Sequence, residues 1–135
     1  MRIVLADTGP LYALTDTDDR HHRRALAELA RLSGSGSAAA SPLPVLCESY
    51  GLILKRLGSR PAIAWWRRTH SGGLGLLNPT REDYVAAAAL AARHQDQAIS
   101  LFDGLLAVLS DRLAAPVWTF DHHFDLLRVD VWRPE

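Results

Sequence analysis

Four carboxylates in this chain, Asp7, Glu48, Asp103 and Asp121, stand where they could work together. Asp7 ends the apolar run Ile3 to Ala6, Asp103 comes just after Ala98 to Leu101, and Asp121 comes just after Val117 to Phe120. If these runs are strands of one parallel sheet, the three aspartates gather along its carboxyl edge, where such sheets bind ligands. Glu48 falls early on a helix with Val45 and Leu52 on its own face, so its carboxylate emerges from a partly apolar surface. Carboxylates crowded into one cleft repel and raise one another's pKa unless cations offset them. Oxygen donors without cysteine suit Mg²⁺ or Mn²⁺, which bridge to substrate phosphates, so the cluster points to phosphoryl chemistry.

Each acid also has a purely local role open to it. Asp7 can stabilise the turn Asp7-Thr8-Gly9-Pro10, Asp121 can cap a short helix after Phe120, and Glu48 can sit solvated near a helix N-terminus. For Asp103 the local role is the most developed, because Ser100-Leu101-Phe102-Asp103 before an apolar run is a capping-box pattern.

The elements that must position these acids alternate between strand and helix. After Ile3–Ala6, Thr8 or Gly9 is the expected cap of a helix with Pro10 in its first turn. Asp16-Thr17-Asp18-Asp19 supplies acidic caps for a second helix, with His22, Leu26, Leu29 and Leu32 as its apolar stripe, ending near Ser33. Ser33 to Ser37 is a flexible loop, and Ala38–Ala40 a short strand. Pro42 and Pro44 open a helix to about Leu57, where Leu46, Tyr50, Ile53 and Leu57 share a face and Gly58 closes the end. A helix over Arg60–His70, a strand over Leu74–Leu77 and an alanine-rich helix from Thr80 to about His94 follow. Ala98–Leu101 reads as a strand, Phe102–Leu113 as a helix and Val117–Phe120 as a strand. This alternation predicts one α/β domain over 1–135, a mainly parallel sheet with helices on both faces.

Composition narrows the function classes. At 135 residues and 48% hydrophobic content, one core is large enough to stand without disulfides, and the single cysteine, Cys47, excludes an internal one. Cys47 is expected to be a small buried hydrophobe. Only four apolar residues precede Asp7, too few for a secretory signal, and Tyr84–Ala92 is far short of the roughly 20 residues a membrane span requires. A soluble cytoplasmic protein is expected. Fifteen basic and fifteen acidic side chains cancel, yet Ser49 to Thr80 holds no acid while carrying Lys55, Arg56, Arg60, Arg67 and Arg68. That stretch is either a solvated face or a phosphate-contacting surface, Lys55, Arg56, Arg67 and Arg68 being the candidate phosphate contacts.

Over nearly its whole length the chain resembles the PIN-domain nucleases, and within them the VapC-type toxins. The resemblance lies in Asp7-Thr8-Gly9, Asp18-Asp19-Arg20-His21-His22, and Glu48 on a helix ending Leu54-Lys55-Arg56-Leu57-Gly58. It continues in Ser100-Leu101-Phe102-Asp103 and Thr119-Phe120-Asp121-His122-His123-Phe124. It implies a three-layer α/β/α domain and a Mg²⁺ (or Mn²⁺) site formed by Asp7, Glu48, Asp103 and Asp121, with Thr8, Ser100 or Thr119 as hydroxyl support. It also implies endonucleolytic RNA cleavage by metal-activated water, a VapB-type antitoxin partner and a homodimer. Gly104 stands where many relatives have alanine. A housekeeping PIN-type nuclease of RNA maturation is the nearest alternative, and a non-catalytic interaction module is a more distant one. His122-His123 reads as a turn pair, His22 as a packed histidine and Trp65-Trp66 as core or dimer packing. No Gly-x-Ser-x-Gly, Gly-x-x-x-x-Gly-Lys-[Ser/Thr] or Gly-x-Gly-x-x-Gly occurs, which removes those hydrolase and nucleotide-binding classes.

Overall fold

In the computed structural model, which describes residues 2–134, four strands form one all-parallel sheet in the order β3-β2-β1-β4. Strand β1 (Arg2–Ala6) is flanked by β2 (Ser37–Pro42) and β4 (Val117–Trp118), with β3 (Gly75–Leu77) outside β2. A central strand covered on both faces must be apolar on both. Accordingly Val4 and Ala6 pack with Leu11, Ile53 and Trp118, while Leu5 packs with Val45, Leu106, Leu109, Val117 and Phe124. Helices therefore lie on either side, and the three-layer α/β/α architecture expected above is the one observed. Strand β4 is shorter than Val117–Phe120 because Thr119 and Phe120 leave the ladder. Its outer edge is covered by the C-terminal segment, with Val117 N donating to Asp130 O and Trp132 N to Val117 O, each at 2.8 Å.

Helix α1 (Thr8–Thr15) starts directly at the end of β1. Its cap is Asp7, whose Oδ1 accepts from Thr8 N at 2.8 Å, rather than Thr8 or Gly9. Helix α2 (His22–Gly34) corrects two expectations. Asp16 and Asp19 close the preceding turn by accepting from Asp18 N and His21 N, so they do not cap the helix. Its buried face runs through Ala25, Glu28 and Leu32, leaving Leu26 48% exposed. Glu28 is drawn inward because Trp118 Nε1 donates to it at 2.8 Å and Arg24 pairs with it at 2.9 Å, so this buried charge is compensated. His22 is a packed histidine, its Nδ1 2.7 Å from Ala13 O.

Helix α3 (Leu43–Leu57) has Pro42 and Pro44 at its start and ends at Gly58, where φ of 102° favours glycine. Leu46 and Ile53 are buried and Tyr50 and Leu57 half-buried, as their spacing predicts, but Cys47 is exposed. One helical position from Leu46 it has rotated off the core face. Helix α4 (Ser59–His70) buries Trp65, and Trp66 packs edge-on against Tyr50. Thr80 and Asp83 form a capping box at the start of α5 (Arg81–Arg93), and Arg112 holds the buried Asp83 through two hydrogen bonds of 3.0 and 2.8 Å.

No strand forms over Ala98–Leu101. After a 3₁₀ turn at Gln95–Gln97 the chain passes through Ala98 in the left-handed region, φ 53°, and α6 (Leu101–Leu113) begins at once. The capping box of Ser100 and Asp103 claims these residues for the helix start. Gly104 sits where α6 crosses α5, and a Cβ there would lie 2.8 Å from Ala87 O. The glycine permits a close helix approach that alanine would obstruct. A four-residue helix, α7 (His123–Leu126), follows β4 and is anchored by the fully buried Phe124.

Candidate active site

Beyond the carboxyl ends of β1 and β4 a cleft of about 390 Å³ opens, lined by Asp7, Thr8, Glu48, Ser100, Asp103, Phe120, Asp121 and His123. All four carboxylates singled out in the sequence therefore face one space. They arrive by different routes. Asp7 follows the central strand and is 7% exposed, Asp121 lies three residues past β4, and Glu48 projects from the second turn of α3. Asp103 comes from the first turn of α6 and not from a strand end.

Hydroxyls tie the acids to the backbone. Thr119 Oγ1 donates to Asp7 Oδ2 at 2.8 Å and accepts from Asp121 N at 2.9 Å. Thr8 Oγ1 donates to Glu48 Oε1, and Ser49 Oγ lies 3.2 Å from that same hydroxyl while donating to Val45 O at 2.8 Å. Ser100 works through the capping box, its Oγ accepting from Asp103 N at 3.1 Å and its N–H donating to Asp103 Oδ2 at 3.4 Å. Asp121 Oδ1 accepts from His123 N at 2.9 Å. The local roles foreseen for Asp7 and Asp103 are thus real, whereas Asp121 lies one residue before the N-cap of α7, His122, and accepts from His123 N; all three carboxylates still face the cleft. A cap uses part of a carboxylate's acceptor capacity and leaves lone pairs free.

The electrostatics follow from crowding in a partly dry space. Burial pushes Asp7 up from 3.8 to about 7, despite hydrogen bonds from Thr119 and Thr8, and the charges of Asp103 and Glu48 add to the rise. Burial likewise raises Glu48, with Asp103 adding repulsion. It raises Asp103 too, with the Asp121 charge contributing. Three of the four acids thus hold protons more tightly than in water, which a cation among them would reverse. The donor set of clustered carboxylate oxygens fits Mg²⁺ or Mn²⁺.

His123 is the cleft residue that sequence reasoning placed elsewhere. His122 is exposed, as a turn residue would be, but His123 lines the cleft with Nδ1 3.2 Å from Asp121 Oδ1. Its signal was its position two residues after Asp121. The basic candidates lie outside the cleft lining. Lys55 and Arg56 are exposed on the last turn of α3, and Arg67 and Arg68 on the last turn of α4. The Arg56 guanidinium stands 5.1 Å from the Tyr12 ring centroid, and Arg67 borders an apolar groove between α3 and α4 with Cys47, Tyr50, Ile63 and Trp66.

An all-parallel sheet with acids converging at its carboxyl edge defines a class, and the family comparison agrees: the PIN domain model matches residues 4–130, so the chain belongs to the PIN-domain family. Among solved structures it is similar to the Mycobacterium tuberculosis toxin VapC20, which cleaves the sarcin-ricin loop, at a TM-score of 0.84 and 22% identity over 97% of this chain and 99% of that one. VapBC2 from Rickettsia felis, bound to a DNA fragment from its promoter, superimposes at 0.70 with 14% identity, and FitAcB from Neisseria gonorrhoeae at 0.66 with 18%. Each of these two comparisons covers 97% of both chains. At such identities the likeness is one of fold. No curated protein sequence gives a significant match.

Proposed function

We propose that this protein is a Mg²⁺- or Mn²⁺-dependent endoribonuclease, the toxin of a VapBC-like type II toxin–antitoxin pair, with Asp7, Glu48, Asp103 and Asp121 as its metal-binding and catalytic carboxylates. The observation that carries the reading is the convergence of these four acids in one cleft at the carboxyl edge of the sheet of a PIN domain. When bound, the cation supplies the charge that lets the acids ionise together and activates water for attack on a phosphodiester. The chain's own groups orient the site. Thr119 and Thr8 N hold both oxygens of Asp7, Thr8 Oγ1 holds Glu48, and Ser100 sets Asp103 at the start of α6. These contacts fix the acids before substrate arrives, which lowers the cost of organising them in the transition state.

The toxin assignment draws on the fold shared with VapC20 and with the chains of VapBC2 and FitAcB. An antitoxin of VapB type, an RNA substrate, a homodimer and a cytoplasmic setting go with it. Lys55, Arg56, Arg67 and Arg68 are assigned to RNA phosphates on the ground that Ser49–Thr80 contains no acid. A housekeeping PIN nuclease would use the same site without an antitoxin.

The test is cleavage of RNA by the purified protein in Mg²⁺, in Mn²⁺ and in excess chelator. Cleavage with either ion and none in chelator is expected, and undiminished activity in chelator would sink the metal mechanism. Co-expression with a small neighbouring gene separates the biological roles. Complex formation with relief of growth arrest favours the toxin, and neither result favours the housekeeping enzyme.

A further inference from the structure

We propose that His123 supplies a nitrogen donor to the cation of the carboxylate cleft, so that the centre is a mixed oxygen and nitrogen site. The inference rests on the metal-dependent reading above and adds a ligand type that four acids do not imply. Its first support is an unsatisfied atom. His123 Nδ1 is buried and has no hydrogen-bond partner. Although Asp121 Oδ1 is 3.2 Å away, the two are not aligned as a hydrogen bond. Buried polar atoms in native proteins nearly always have partners, so one left without calls for a specific explanation, such as an ion.

The second support is spacing. One ligating atom from each of Asp103, Asp121 and His123 can be chosen so that all lie within 4.8 Å of one another. Neighbouring donors on an octahedron with bonds of roughly 2.1 Å are about 3 Å apart. The 3.2 Å between Asp121 Oδ1 and His123 Nδ1 is close to that separation. The third support is rigidity. His123 N donates to Asp121 Oδ1 and the adjacent Phe124 is fully buried, so the backbone carrying the imidazole is pinned to the carboxylate beside it.

An imidazole shifts the preference of an oxygen site away from Mg²⁺ and toward first-row transition ions. The wild-type protein should therefore bind Mn²⁺ more tightly than Mg²⁺. Pulsed electron paramagnetic resonance of the full chain loaded with Mn²⁺ alone should show coupling to an imidazole ¹⁴N. His122→Ala should keep that coupling, while His123→Ala should lose it and bind Mn²⁺ at least about tenfold more weakly. His123→Gln serves if the alanine variant does not fold. Mn²⁺ bound by the wild type without ¹⁴N coupling, or coupling that survives in a folded His123 variant, would overturn the inference and leave the four-carboxylate reading standing. Failure of the wild type to bind Mn²⁺ or Mg²⁺ would overturn both.

Discussion

Thr119 gives its only hydroxyl proton to Asp7: Oγ1 lies 2.8 Å from Asp7 Oδ2, joining the residue after β4 to the acid after β1. The same oxygen accepts from Asp121 N at 2.9 Å, so one side chain sets two of the four cleft acids. Replacing it with the isosteric valine leaves a buried carboxylate and a backbone N–H without their partner. Thr119→Val should cost about 1–3 kcal/mol of stability and weaken Mg²⁺ binding, read by thermal melting and by calorimetry. Unchanged metal affinity would show that Thr119 holds the fold and not the site.

Asp103 has two roles that substitution can separate. Its carboxylate accepts from Ser100 N over a long 3.4 Å, and an asparagine oxygen can still accept there. Loss of the charge at the helix start costs roughly 0.3–1 kcal/mol, against which the relief of repulsion from Asp121 acts. Asp103→Asn should therefore leave the metal-free thermal midpoint nearly unchanged, while the Mg²⁺-induced shift and RNA cleavage collapse. A variant that is destabilised without metal yet cleaves at the parental rate would reduce Asp103 to a cap.

The raised pKa of Asp7 makes stability depend on pH in a defined direction. Folding lifts it from 3.8 to about 7, so the folded state binds the proton more tightly than the unfolded chain. The associated stabilisation is fully present below pH 3.8 and is lost as pH rises toward about 7, at about 1.4 kcal/mol per tenfold difference in proton affinity. In chelator, Asp7→Asn should flatten this decline and be more stable than the parent at pH 8. The midpoint shift on adding Mg²⁺ should grow over the same interval, since proton and cation compete for the carboxylate. Melting curves from pH 5 to 8 with and without Mg²⁺ check both statements.

The four basic residues at the ends of α3 and α4 are tested through salt. If Lys55, Arg56, Arg67 and Arg68 contact phosphates, their joint replacement by glutamine weakens RNA binding. It also flattens the log–log salt dependence by about 0.7 per contact. An unchanged slope would return these exposed side chains to a solvated face.

Much of this molecule is legible in its sequence because the governing signals are local. Apolar Ile3–Ala6 ending at Asp7, Thr80 with Asp83, and the prolines at the start of α3 each specify an element through backbone sterics or capping. Where the reading failed, a competing local signal or a distant partner decided. Ala98–Leu101 has the look of a strand, but the Ser100–Asp103 capping box began a helix there. Glu28 went inward and Leu26 outward because Trp118 Nε1, ninety residues away, needed an acceptor.

The same division runs through the candidate site. The identity and chain order of Asp7, Glu48, Asp103 and Asp121, and the hydroxyls near them, are properties of the sequence, since residue type and spacing carry them. That Asp103 on the first turn of α6 meets the other three acids, that Thr119 bridges Asp7 and Asp121, and that His123 rather than His122 faces the cleft were decided only by the tertiary structure. Those facts depend on how α6 and α7 dock against the carboxyl edge of the sheet. Docking is set by burial of Leu105, Leu106, Leu109 and Phe124, while Gly104 lets α5 pack closely on α6, and these are contacts between residues far apart in the chain.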